Sequence, residues 1–123
     1  MTSEVYSVEV PVDAKTQAVL QPFIERASLQ LPDAEYILFG SRARADARSD
    51  SDVDLAIIIP ENNAVHDAIR HSLNDIAFDI MLDYELLISP LIISQNVWQG
   101  SCDSQNAELI RNIQKEGISV SHA

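Results

Sequence analysis

The run Asp52–Ile59 (DVDLAIII), entered from the polar stretch Arg48–Ser51 and closed by Pro60, constrains this chain most. A continuous apolar run bounded by turn formers reads as a buried strand, and a buried strand demands a sheet with something packed on it. Two carboxylates open the run. Residues two apart on a strand share a face, so Asp52 and Asp54 lie together, their Cα atoms about 6.5 Å apart. Val53, Leu55 and Ile57 then point the other way, into the core. Two acids on an otherwise apolar strand repel each other and resist burial. They make sense at a strand end holding Mg²⁺, a hard cation that takes carboxylate and phosphate oxygens.

The rest of the chain supplies more strands and the helices to cover them. From Val12 to Leu29 the pattern is helical, with Asp13 as N-cap and Val19, Leu20, Phe23, Ile24 and Ala27 on one face. Pro22 interrupts that run, so a kink or a restart is expected there. Glu35–Phe39 (EYILF) is a short strand, ended by Gly40-Ser41, after which RARADA forms one or two helical turns. Asn62 or Asn63 caps a second helix running to about Asp75, with Ala64, Val65, Ala68, Ile69, Leu73 and Ile76 as its stripe. Ala77–Leu82 (AFDIML) reads as the next strand, and Leu86–Trp98 stays open between strand and helix because Pro90 interrupts it. Ala107–Glu116 is a last helix with Gly117 as its cap, and Ile118–Val120 a last strand. Three or four strands alternating with helices give an α/β or α+β fold: a small mixed sheet with helices mainly on one face.

Length and composition bound the rest. The 123 residues suit a single domain over 1–123, in which 1–12 is a loose arm or an edge strand. With 8 Lys+Arg against 19 Asp+Glu, the net charge of −11 repels phosphate backbones, so direct nucleic-acid binding is not expected. The same field suits divalent cations or a basic protein partner. The single Cys102 forms no intramolecular disulfide and no zinc cluster, and points to a reducing compartment. No apolar run reaches the length of a membrane span, and the N-terminus lacks the pattern of a signal peptide, so a cytoplasmic location is expected. Oligomeric state is left open, self-association included.

Two further elements complete a candidate site. Gly40 permits a tight turn and a close backbone approach, and Ser41 then stands at a helix start, where N–H groups favour phosphate. If AFDIML is a strand beside Asp52–Ile59, Asp79 joins Asp52 and Asp54. Asp75 and Asp83 lie close by as alternatives for this third acid. Three acids around a pair of metals, beside a phosphate-binding turn, describe a two-metal nucleotidyl-transfer site. Arg42, Arg44 and Arg48 cluster next to it; Arg42 is the foremost candidate to clamp a phosphate, against a solvated helix face paired with Asp46 and Asp50.

The spacing G-S, ten residues, then D-x-D (Gly40, Ser41, Asp52, Asp54), with an acid further on, resembles the DNA polymerase β-like nucleotidyltransferase superfamily. Within it the chain is similar to the minimal nucleotidyltransferases (MNT) over roughly Ala14–Val120, including the segment Ser89–Ser94 and the ending Lys115–Ile118. The resemblance implies the polymerase β-like fold, with phosphate binding at Gly40 and Ser41 and metal binding at Asp52 and Asp54. Asp79 would be the third acid. It further implies two Mg²⁺ ions, ATP as substrate and transfer of AMP. Many such proteins resemble antitoxins that modify a tyrosine of a helical HEPN toxin, and a chain with no length for an acceptor domain fits an acceptor supplied by a partner. Two other readings stay open: a non-catalytic module that neutralises its partner by covering it, and a stand-alone enzyme for a small hydroxylated molecule.

Overall fold

Helix α1 (Ala14–Gln30) begins where Asp13 caps it: the Thr16 N–H donates to Asp13 Oδ2 at 3.3 Å and the Thr16 hydroxyl to Oδ1 at 2.5 Å. A computed structural model describes residues 12–44, 47–48, 51–60, 66–100 and 107–120 of the chain. α1 runs through Pro22 as one helix and buries Val19, Leu20, Phe23, Ile24 and Ala27, the face its spacing predicts. Burial would raise the Asp13 pKa. The Thr16 hydrogen bonds and the Arg42 charge outweigh that and hold it below the usual carboxylate range.

Strand β1 (Glu35–Phe39) leads through Gly40 into the single-turn helix α2 (Ser41–Arg44), and the chain returns as strand β2 (Val53–Ile59). β1 and β2 pair antiparallel, with Phe39 opposite Asp54 and Glu35 opposite Ile58. Helix α3 (His66–Tyr84) then crosses to strand β3 (Ile88–Ser94), which pairs parallel with β2, Asp54 opposite Ser89. Parallel neighbours need a crossover of this kind, because a hairpin cannot join them. The short helix α4 (Gln95–Trp98), helix α5 (Ala107–Glu116) and strand β4 (Ile118–Val120) complete the order, β4 pairing antiparallel with β1. The sheet runs β3-β2-β1-β4.

Strand alternation divides the core in two. Val53, Leu55, Ile57 and Ile59 face the long helices α1 and α3, packing with Phe23, Leu38, Leu73 and Ile80. Ala56 and Ile58 face the other way, with Ile93 and with Ile110 and Ile113 of the shorter α5. Asp52 and Asp54 belong to this second face by alternation, at the end of the sheet where β1 finishes and β2 and β3 begin. Gly117 closes α5 with its N–H on the Ile113 carbonyl at 2.7 Å, and a side chain there would strike Ile37. Tyr36 lies in the core, where burial pushes its phenol up to about 12. Among the described residues no helix is long and apolar enough to cross a membrane.

Three expectations change. The strand expected at Ala77–Leu82 is the second half of α3, which does not stop at Asp75 but continues to Tyr84. Leu73, Ala77 and Ile80 are buried along it at helical spacing, while Phe78 and Asp79 face solvent. Within six residues an apolar stripe of period 3.6 and an alternation of period 2 are hard to tell apart. The strand beside β2 is instead β3, an edge strand, in which Pro90 is accommodated because β3 has a sheet neighbour on one side. The loose arm expected at 1–12 (but for Val12, which is buried), the Asn62 or Asn63 cap, Ala64, Val65 and Cys102 lie outside the described residues.

The helical placement of Asp79 has a direct check. Asp79→Ala should change stability by no more than about 0.5 kcal/mol, the usual range for an exposed surface position. Ile80→Ala, one residue on, should cost about 2–5 kcal/mol in urea unfolding, as for other buried Ile truncations.

Candidate active site

The site is built around a contact that only glycine allows. Gly40 has φ +77°, and a methyl group on it would overlap Asp54 Oδ2 and lie 3.3 Å from the carboxyl carbon. The antiparallel register creates this closeness by setting Phe39 against Asp54, so the backbone leaving β1 passes over the Asp54 side chain. The Gly40 carbonyl accepts the N–H groups of Ala43 and Arg44, both at 3.1 Å, and thereby starts α2. Ser41, half-buried, is the first residue of that turn. The N–H groups of a helix's first turn have no intrahelical acceptors, so this segment can offer donors to an anion beside the acid pair.

Asp52 is exposed and Asp54 half-buried. The Asp54 pKa is raised, first by burial and then by the negative charge of Asp52, while the nearby Arg44 guanidinium pulls it down. The two carboxylates are thus close enough to repel each other, on a strand end whose opposite face is fully packed. Such a donor set fits a hard divalent cation, which takes carboxylate oxygens and would relieve the repulsion between the two charges.

Among the described residues, no third acid is placed beside Asp52 and Asp54. Asp79 sits on the exposed surface of α3, and the position beside Asp54 on β3 is Ser89. Among the described residues no group of three acids, histidines or cysteines is arranged to hold a metal. Asp75 and Asp83 are likewise exposed on α3.

Arg42 is the second correction. Its side chain is 3% exposed and turned inward, away from solvent. Its Nε and Nη2 donate to the Ser51 carbonyl at 3.1 and 2.8 Å, and Nη2 donates to the Arg48 carbonyl at 3.1 Å. Nη1 donates to the Thr16 hydroxyl at 3.0 Å and reaches Asp13 Oδ2 at 3.4 Å. The sequence showed a basic cluster; it held no signal that the acceptors for one member would come from a turn nine residues on and from the α1 cap.

Arg44 is the exposed arginine of α2. Its charge acts on Asp54, and it pairs with Glu116 of α5 at 3.3 Å, both partners about half exposed. Exposed pairs of this kind contribute only about 0–1 kcal/mol. Arg48 is exposed and lies beyond α2.

Two cavities lined by described residues lie away from the acids. One of about 340 Å³ is lined by Leu31, Ala34, Ile59 and Ile69, at the opposite end of the β1–β2 pair from Asp54. A smaller one, about 140 Å³, lies between α4 and α5. Leu87, by contrast, is 38% exposed and stands next to Asp52, since the Val53 N–H donates to the Leu87 carbonyl at 2.9 Å.

The family model for the nucleotidyltransferase domain matches residues 20–118. Over 61 residues the chain is 38% identical to the putative protein adenylyltransferase of Methanocaldococcus jannaschii, a match covering 50% of this chain and 60% of that protein. A solved structure, of a putative nucleotidyltransferase from Sulfolobus solfataricus, aligns over 90% of this chain and 89% of its own length, at 13% identity and a TM-score of 0.45.

Two substitutions test this geometry. Gly40→Ala, which must adopt a left-handed backbone and displace Asp54, should destabilise the fold by more than about 1 kcal/mol. Asp54→Asn should do the reverse in the absence of divalent ions. A carboxyl whose folded pKa is raised favours the protonated fold, so stability rises as pH falls from neutral through that value. Removing the charge should therefore raise Tm at pH 7 and flatten this dependence, while Mn²⁺ binding is lost.

Proposed function

Because the chain belongs to the nucleotidyltransferase domain family, matching its model over residues 20–118, we propose that it catalyses Mg²⁺-dependent transfer of AMP from ATP to a hydroxyl group. The observation that carries this reading is the placement of Gly40 over Asp54, two residues from Asp52 on the same strand end, which puts a backbone turn and two carboxylates at one end of the sheet. Asp52 and Asp54 would hold the metal ions through their carboxylate oxygens. Bound divalent cations supply charge neutralisation for the triphosphate and for the transition state. The turn at Gly40-Ser41 receives phosphate oxygens, and Arg44 adds a positive charge from the α5 side. In the reaction the acceptor oxygen bonds to the α-phosphorus as the bond from that phosphorus to the pyrophosphate oxygen breaks. Pyrophosphate leaves, and the acceptor's proton passes to water.

The acceptor we propose is a tyrosine of a helical HEPN-type toxin, which would make the chain an antitoxin. Two observations favour a protein acceptor. The cavities described above are not lined by Gly40, Ser41, Asp52 or Asp54, so they are not acceptor pockets for this site. The surface beside the acids carries an exposed apolar side chain, Leu87, next to Asp52. The name of the M. jannaschii relative supports the same direction. A second reading is favoured by Ser89 standing where a third carboxylate would complete the site: a module that retains nucleotide binding and acts on its partner by complex formation.

Incubation with Mg²⁺, α-labelled ATP and the product of the adjacent gene separates these. Label on a partner tyrosine, lost in Asp52→Ala/Asp54→Ala, is the expected outcome. A stable complex without label would sink catalysis and leave the binding module.

A further inference from the structure

We propose that Arg42 is a positioning residue: its buried guanidinium fixes the turn that delivers Asp52 and Asp54, and couples that turn to the N-cap of α1. The inference rests on the reading of Asp52 and Asp54 as the cation-binding pair. Its substance is a chain of contacts spanning three separate parts of the sequence. Asp13 and Thr16 belong to the first turn of α1, Arg42 to α2, and Arg48 and Ser51 to the turn before β2.

The geometry suits positioning better than simple packing. The turn carries its own bonds, Ser51 N–H to the Arg48 carbonyl at 3.1 Å and Arg48 N–H to the Ser51 hydroxyl at 3.0 Å. The guanidinium fork also donates to the carbonyls at both ends of that turn, Arg48 and Ser51. Ser51 directly precedes Asp52, so the carbonyl that Arg42 holds belongs to the peptide linking Ser51 to Asp52. Its position sets where the Asp52 side chain leaves the backbone. On the far side Val53 is fixed to β3 through the Leu87 carbonyl. Asp52 is thereby held between two anchored peptides although its side chain is exposed. A planar fork can satisfy two carbonyls and a hydroxyl together; an ammonium cannot reproduce that arrangement.

Burying a guanidinium at this point requires compensation, and Thr16, fully buried, with Asp13 provides it. The α1 cap therefore does two things. It starts the helix, and it neutralises the residue that holds the metal-binding strand.

The test uses the full chain with Arg42→Gln, Arg42→Lys and Thr16→Val, read by amide hydrogen exchange and by Mn²⁺–ATP affinity well below each melting temperature. Arg42→Gln should speed exchange at Ser51 and Val53 relative to the core amides. It should weaken Mn²⁺–ATP binding by about tenfold to a hundredfold, the range seen when partners of metal ligands are removed. Arg42→Lys should show most of this defect, because charge without the fork does not hold both carbonyls. Thr16→Val keeps the grip on the turn and removes one support, so it should shift both readouts in the same direction by less, and it serves if the Arg42 variants fail to fold. Unchanged exchange at Ser51 and Val53 overturns the proposal. So does faster exchange with unaltered Mn²⁺–ATP affinity, or full recovery in Arg42→Lys. Wild-type protein that binds no Mn²⁺–ATP would instead overturn the nucleotidyl-transfer reading on which the proposal rests, and would do so before any variant is made.

Discussion

The close passage of the Gly40 backbone over the Asp54 carboxylate is the constraint on which the site depends. It fixes the residue type at 40, because both the left-handed φ and the missing side chain are needed. It also fixes the β1–β2 register, since a slip of one residue would turn Asp54 into the α1–α3 core and expose Leu55. The turn α2 inherits its place from the same contact, being started by the Gly40 carbonyl. Everything else in the molecule can be read as packing that holds these two strands in that alignment.

How much of this was visible in the residues varied with the range of the interaction. β2 was readable because its apolar run and closing proline are local, and α1 because its cap and stripe lie within one helix. Gly40 could be singled out by type and position, although the reason it must be glycine involves a side chain fourteen positions away, brought there by strand pairing. Asp79 was misplaced because AFDIML fits either period when viewed alone. What decides it is that β2 and β3 run parallel, and their connection must cross the sheet as a helix; that is a property of the topology, not of the segment. Arg42 was misread for a related reason. A basic cluster beside a phosphate site suggests contact with phosphate, but the acceptors that bury one of its members are contributed by Asp13, Thr16, Arg48 and Ser51, none of which announces itself as a partner.

The electrostatics follow a common theme. In a chain of charge −11, one arginine is kept from solvent and spent on backbone carbonyls, while another, Arg44, is left at the surface within the influence of Asp54. The acid pair is thus only partly compensated by the protein itself. The residual repulsion between Asp52 and Asp54 disfavours having both carboxylates charged in the fold.

The margins of the sheet bear on how this molecule meets others. β3 forms one edge and carries Pro90, which has no N–H to offer; β4 forms the other and spans only Ile118–Val120. Unpaired strand edges are templates for aggregation and for capture of a neighbour's strand, and a proline or a very short strand blunts them. Backbone-to-backbone association is therefore discouraged on both sides of this sheet. Any contact with another molecule on these margins is left to side-chain surfaces, and those can discriminate in a way that a bare strand edge cannot.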